Sequence, residues 1–191
     1  MLRWLDAFVA WLLRPSTAPT LTVAPSVASS TPSMHKQPEK PVQTPVAPPT
    51  PLSNREKLYN TAKSCLNTHQ TLNPSVPNEV GCAEAWSSVA KKAGVLNIPA
   101  TGIAGTSNLY AWLVSKPAFK PVTTPLPGDT IISPTGHGNG TVTGHVGFIG
   151  ETNILSNNSD NGLFQTKWTL PKWKAHYGVE GALPVKFFRW V

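Results

Sequence analysis

The chain has 191 residues and a formal net charge of +7, from 16 basic and nine acidic side chains, and that length holds one ordinary domain plus an appendage. A basic surface attracts polyanions. Apart from Lys91-Lys92 and the scattered Lys167, Lys172 and Lys174, however, no basic block of the kind that grips phosphates is present. An anionic cell-wall polymer is therefore the expected partner, and nucleic acid is not.

Residues 1–14, MLRWLDAFVAWLLR, place Leu5, Phe8, Val9, Leu12 and Leu13 on one helical face. The run is shorter than the roughly 20 residues that span a bilayer, and Asp6 interrupts it. Arg3 ahead of an apolar core is a signal-peptide feature, but the nearest small-residue cleavage pattern, Ser26-Val27-Ala28, lies too far beyond that core. The segment reads as an interfacial anchor with Trp4 and Trp11, giving weak membrane association, or equally as a helix that packs on the main domain or a partner. Residues 15–53 hold ten of the 20 prolines, among Ser, Thr, Ala and Val. Such a stretch builds no core and acts as an extended, disordered linker.

Residues 54–191 carry twelve basic and seven acidic side chains, a net +5, and form the folded domain. Ser53 with Glu56 is a capping-box signature, and Leu58, Ala62, Cys65, Leu66 and His69 recur at helical spacing before Pro74. A second helix is predicted from Cys82, with Ala85, Trp86, Val89, Ala90 and Ala93 buried and Gly94 as its stop. A third covers Ser107 to Ser115, with Tyr110, Leu113 and Val114 inward. After Pro127-Gly128 the pattern changes to strands at 129–133, 144–150, 153–157, 163–169 and 185–191. Helices first and strands later mean an α+β domain with N-terminal helices packed on a C-terminal, mainly antiparallel sheet.

The chemistry concentrates at Cys82, in Gly81-Cys82-Ala83-Glu84-Ala85 at a predicted helix start. Unpaired N–H groups and a partial positive charge there favour thiolate over thiol. The same N–H groups can hold the oxyanion formed when an amide carbonyl is attacked. Two cysteines are too few for a disulfide framework; Cys65 and Cys82 form one bridge, or else a buried structural thiol and a nucleophile. A nucleophilic cysteine needs an imidazole to take its proton, and His145, opening Gly144-His145-Val146-Gly147-Phe148-Ile149-Gly150, is the candidate. His137 competes, but it sits in His137-Gly138-Asn139-Gly140, a loop rather than a rigid element. The base needs an orienter. Asn157 is twelve positions past His145, with its neighbour Asn158 and then Asp160 as the other choices; turn chemistry is the bland account of all three.

Pro127-Gly128-Asp129 before a strand, the Gly144–Gly150 segment and the upstream Gly81–Ala85 segment resemble the papain-like cell-wall peptidases, the NlpC-like and CHAP groups, which include many bacteriophage and bacterial lysins. The resemblance covers about residues 54–191. It implies a papain-like fold, with a Cys helix packed on a sheet carrying His and a third polar residue on the next strand. It also implies peptidoglycan as substrate and a structural Asp129. The chain departs from the commoner pattern in lacking Asp-Cys-Ser-Gly and in having Asn as the third residue. The expected function is a monomeric peptidoglycan amidase or endopeptidase with Cys82, His145 and Asn157 catalytic. It would use no cofactor or metal and act at the cell envelope or as a secreted or virion-associated lysin. The alternatives are a non-catalytic wall-binding or virion-structural module of the same fold, and a metal hydrolase built on Asp129, His137 and His145, for which no short His-x-x-x-His or His-x-His spacing is present.

Overall fold

A computed structural model of the chain describes residues 50–139 and 142–191; the expectations for residues 1–14, and for the linker as far as residue 49, lie outside the described residues. The first helix, α1 (Asn54–Ser64), begins as its sequence dictates. The Ser53 hydroxyl accepts from the Glu56 N–H at 3.3 Å, and the Glu56 carboxylate accepts from the Ser53 N–H at 2.8 Å. Helical spacing ran on to His69, but the helix ends at Ser64. Asn67 turns to φ 60° and donates its N–H to the Phe164 carbonyl at 2.8 Å, and His69 then bridges Leu163. Asn tolerates this left-handed conformation, so a pairing 97 residues away along the chain overrides the local helical pattern.

A 3-10 turn at Asn78–Val80 leads into α2 (Cys82–Lys92), and α3 (Thr106–Ser115) follows. Six strands make one antiparallel sheet: β1 (Phe119–Pro121), β2 (Thr130–Ser133), β3 (His145–Ile149), β4 (Ile154–Asn157), β5 (Phe164–Trp168) and β6 (Lys186–Trp190), in the order β1-β6-β2-β3-β4-β5. A short helix, α4 (Leu170–Trp173), continues into a π-helical segment, Lys174–Glu180, between β5 and β6. The domain is therefore α+β with an antiparallel sheet, as expected. β1, α4 and the π-helical segment were not foreseen.

Alternation along the strands gives the sheet two buried faces. Ile132, Val146, Phe148 and Leu155 join Leu58, Trp86, Val89, Leu109 and Leu113 in the larger core, under α1 to α3. Ile131, Ile149 and Ile154 pack on the opposite face with Trp173, Tyr177 and Leu183. The α3 face differs from expectation: Leu109 and Leu113 are buried, Tyr110 only partly, and Val114 is 60% exposed. Leu109 and Leu113 stand four residues apart and so share a stripe that Val114 leaves.

Asp129 is fully buried just ahead of β2. Its carboxylate accepts from the Leu126 N–H at 2.7 Å and from the Arg189 guanidinium at 2.9 and 2.7 Å, which ties the start of β2 to β6. The hydrogen bond to Asp129 raises the Arg189 pKa. Gly128 before it has φ +95°, and a Cβ there would lie 2.2 Å from the Arg55 carbonyl oxygen, so only glycine fits between this turn and α1.

Candidate active site

Trp86 sets the position of α2 on the sheet. Its ring stacks on Phe148 at 5.8 Å and 13°, and its indole N–H donates to the Thr130 hydroxyl at 3.0 Å. Cys82 lies one helical turn N-terminal to Trp86, on the same side of the helix. Anchoring Trp86 on β3 therefore brings the first turn of α2 to the His145 end of that strand. The main-chain N–H groups of Ala83 and Val146 point at the Cys82 sulfur and favour its anion. No side chain caps the N-terminus of α2, which leaves its first N–H groups available to an incoming oxyanion. Cys82 keeps partial access to solvent, whereas Cys65 is buried in the core; both thiols are free.

Gly81 immediately precedes Cys82. It is buried, and a Cβ there would meet the Pro77 carbonyl oxygen at 3.3 Å and the Asn78 carbonyl oxygen at 3.5 Å. Its small size serves the tight turn that delivers Cys82. Glu84 was not singled out from the sequence. It is buried in the first turn of α2, and its carboxylate accepts from the main-chain N–H groups of Leu72, at 2.9 Å, and Asn73. An acid in a helix's first turn was the available signal.

His145 opens β3 opposite Ser133 of β2 and is 7% exposed. Gly144 before it is packed against β2, where a Cβ would lie 2.1 Å from the Ser133 carbonyl oxygen. The imidazole lies against two aromatic rings of the segment after β5: Trp173 at 5.3 Å and 33°, and Tyr177 at 5.9 Å and 18°. Burial drives the His145 pKa down to about 4; the Asn157 main-chain carbonyl opposes this by favouring the charged ring, and Lys167 and His176 add to the lowering. Burial likewise pushes the Cys82 thiol up to about 11, against the N–H groups of Ala83, Val146 and Cys82 itself. The lowered thiol pKa expected from the helix N-terminus is thus overridden by desolvation. Tyr177 is held neutral by burial first and by the charge Cys82 would carry second.

Asn157 reaches the site, but its atoms divide the work differently from expectation. Its side-chain amide donates to the Asn78 carbonyl at 2.5 Å, bracing the 3-10 turn ahead of Cys82, while its main-chain carbonyl serves His145. Asn158 belongs to another network: its amide N–H donates to Gln165 at 2.9 Å and its oxygen accepts from Lys167 at 3.2 Å. Asp160 is paired with Lys167 at 2.5 Å on the surface. Asp129, His137 and His145 make no metal site. Asp129 is held by Arg189, and His137 is exposed, 3.1 Å from the Ser107 hydroxyl and edge-on to Tyr110. Among the described residues no group of three His, Cys, Asp or Glu is placed to hold a metal ion.

The arrangement thus joins a thiol at an uncapped helix start with an imidazole on the adjoining strand, chemistry suited to nucleophilic attack on an acyl group. No family model matches the chain, and no curated protein matches it.

Proposed function

We propose that this protein is a cysteine-dependent amide hydrolase of papain-like architecture that acts on peptidoglycan. The observation that carries the reading is the delivery of Cys82, at the uncapped start of α2, to the strand position next to His145. The Cys82 sulfur attacks the carbonyl carbon as its proton passes to the neutral imidazole of His145. The carbonyl oxygen becomes an oxyanion facing the first N–H groups of α2. The amide C–N bond then breaks, and the imidazolium gives its proton to the departing amine. Water, deprotonated by the same imidazole, hydrolyses the thioester and restores the thiol. No cofactor enters this sequence.

Peptidoglycan is supported by the resemblance of the Gly81–Ala85 and Gly144–Gly150 segments to cell-wall peptidases, and by the net charge of +5 on residues 54–191, which suits an anionic wall. Action at the envelope, or from a virion or secreted pool, follows from that substrate. No helix among the described residues is long and apolar enough to cross a membrane. The test is turbidity loss of purified cell walls, with mass analysis of the released fragments. Wild type should clear walls and release a new amine end, and Cys82→Ala should not. Equal clearing by both proteins would defeat the proposal. The neutral resting state of both Cys82 and His145 also fits a wall-binding module without catalysis. That reading predicts co-sedimentation with walls and no released fragments from wild type.

A further inference from the structure

We infer that Trp173 and Tyr177 together form the positioning element of His145, two ring faces from one helical segment doing the work expected of a polar side chain on the next strand. The inference rests on the hydrolase reading for its catalytic meaning. Its geometry stands apart from that reading.

The first observation is that none of the three polar candidates, Asn157, Asn158 and Asp160, orients the ring through its side chain. The Asn157 amide is bonded to the Asn78 carbonyl, and Asn158 and Asp160 are engaged with Gln165 and Lys167. An imidazole held by one carbonyl can still swing about its Cβ–Cγ bond. The second observation is where the aromatic rings are anchored. The Trp173 indole N–H donates to the Ser133 hydroxyl at 3.0 Å, and Ser133 is the residue directly across from His145 in the β2–β3 pair. The anchor for the clamp is therefore built into the same strand pairing that places the histidine. Trp173 and Tyr177 lie 4.7 Å apart at 50°, so the two rings brace each other while both contact the imidazole. The third observation is the backbone that carries Tyr177. Residues Lys174–Glu180 are π-helical, a form rare in proteins and frequent at functional sites. Trp173 and Tyr177 stand four residues apart, and both turn inward to the sheet, 0% and 6% exposed.

Such a clamp fixes the ring plane without adding a negative charge. It keeps water from the ring, which disfavours the imidazolium, and its π faces offset only part of that cost when the thiol proton arrives. The ionisable groups near His145 are Lys167 on β5 and His176 and Tyr177 on the π-helical segment, with Cys82 of α2 close to Tyr177. Lys167 and His176 both disfavour the imidazolium, which increases the value of a neutral, polarisable enclosure.

The experiment compares wild type, Tyr177→Leu and Tyr177→Phe by two readouts on the full chain. One is the titration of the His145 ring followed by NMR; the other is kcat and KM on soluble wall fragments. Tyr177→Leu removes the ring face and opens the imidazole to water, so the His145 midpoint should rise from about 4 towards 6.5. Its kcat should fall about tenfold, with KM little changed, because only the alignment of the base is lost. Tyr177→Phe keeps the ring face and should restore both quantities. A wild-type titration and kcat in Tyr177→Leu, or a loss in Tyr177→Phe as large as in Tyr177→Leu, would overturn the inference. Should Tyr177→Leu fail to fold, Trp173→Phe breaks the Ser133 anchor while keeping an aromatic ring. An unmoved His145 titration in that variant would be equally fatal. If wild type releases no wall fragments, the hydrolase reading fails, while the NMR titration still decides whether the clamp holds the ring.

Discussion

His145→Gln should make the fold less sensitive to acid, and the size of the effect follows from the burial of the ring. The native imidazole titrates near 4, against 6.5 for the free side chain. Between these values the unfolded chain binds a proton that the native chain refuses, so stability rises with pH across this window. Above pH 6.5 the neutral ring costs nothing extra; as pH falls through 6.5 towards 4 stability is lost, to a limit of about 3 kcal/mol. At pH 5 the loss attributable to this one residue is about 2 kcal/mol by the same relation. Gln keeps a polar side chain of similar reach and has no such titration. The assay is urea unfolding of wild type and His145→Gln at pH 7.5 and pH 5. Other acid-sensitive groups are common to both proteins and cancel in the comparison. The wild type should lose about 2 kcal/mol more than the variant between the two pH values. Equal losses would mean that the ring is hydrated, and the enclosure by Trp173 and Tyr177 would be refuted.

Asn157→Ala leaves the Asn78 carbonyl without its amide donor. It should cost about 1–3 kcal/mol in urea unfolding and reduce wall hydrolysis by loosening the turn ahead of Cys82. The His145 titration should stay in place, because the main-chain carbonyl remains; Asn158→Ala should leave hydrolysis within about twofold, its cost being that of a surface contact. Arg189→Leu strands the fully buried Asp129 carboxylate and should destabilise by about 3 kcal/mol or more, read as a lowered urea midpoint. Iodoacetamide labelling of Cys82, read by peptide mass, should be slow at pH 7 and climb above pH 9, since the thiol is pushed up to about 11. Full, rapid labelling at pH 6–7 would show a preformed thiolate instead.

Where a feature depends on neighbours in the chain, the sequence disclosed it. Ser53 and Glu56 cap each other across three residues, α2 starts at Cys82, and the apolar runs at 129–133, 144–150 and 153–157 mark β2, β3 and β4. Asp129 could be read as structural because it stands at a strand start after Pro-Gly. Features that depend on distant pairing stayed hidden. Nothing local says that β6 inserts between β1 and β2, or that a three-residue strand ending in proline completes the sheet. Pro171 and Gly178 obscured the helical character of residues 170–180, and so the two rings that meet His145. Asn157 was found by its spacing, but spacing cannot tell a side-chain amide from the carbonyl of the same residue. The direction of the Cys82 shift was misjudged for a related reason. A helix N-terminus is visible in sequence, whereas the mass of protein packed around it is not.

That shift bears on how the proposed hydrolysis would run. Burial pushes the Cys82 thiol up to about 11 and the His145 ring down to about 4, so passing the proton from one to the other runs uphill in the resting protein. The neutral pair, thiol and imidazole, is therefore the favoured resting state. In the proposed hydrolysis, attack is then coupled to proton transfer, with His145 as general base during bond formation. On that reading the carbonyl carbon bonds the sulfur while the negative charge passes to the carbonyl oxygen, which faces the open N–H groups of α2. A bare thiolate never has to persist in a site that solvates it poorly. This makes the alignment of the imidazole more consequential than its charge, because a base that must act within the attack step has to be in place beforehand. A negatively charged orienter would raise the ring's pKa and draw the resting state towards the ion pair. A neutral enclosure of Trp173, Tyr177 and the Asn157 carbonyl holds the ring while leaving it unprotonated and able to accept.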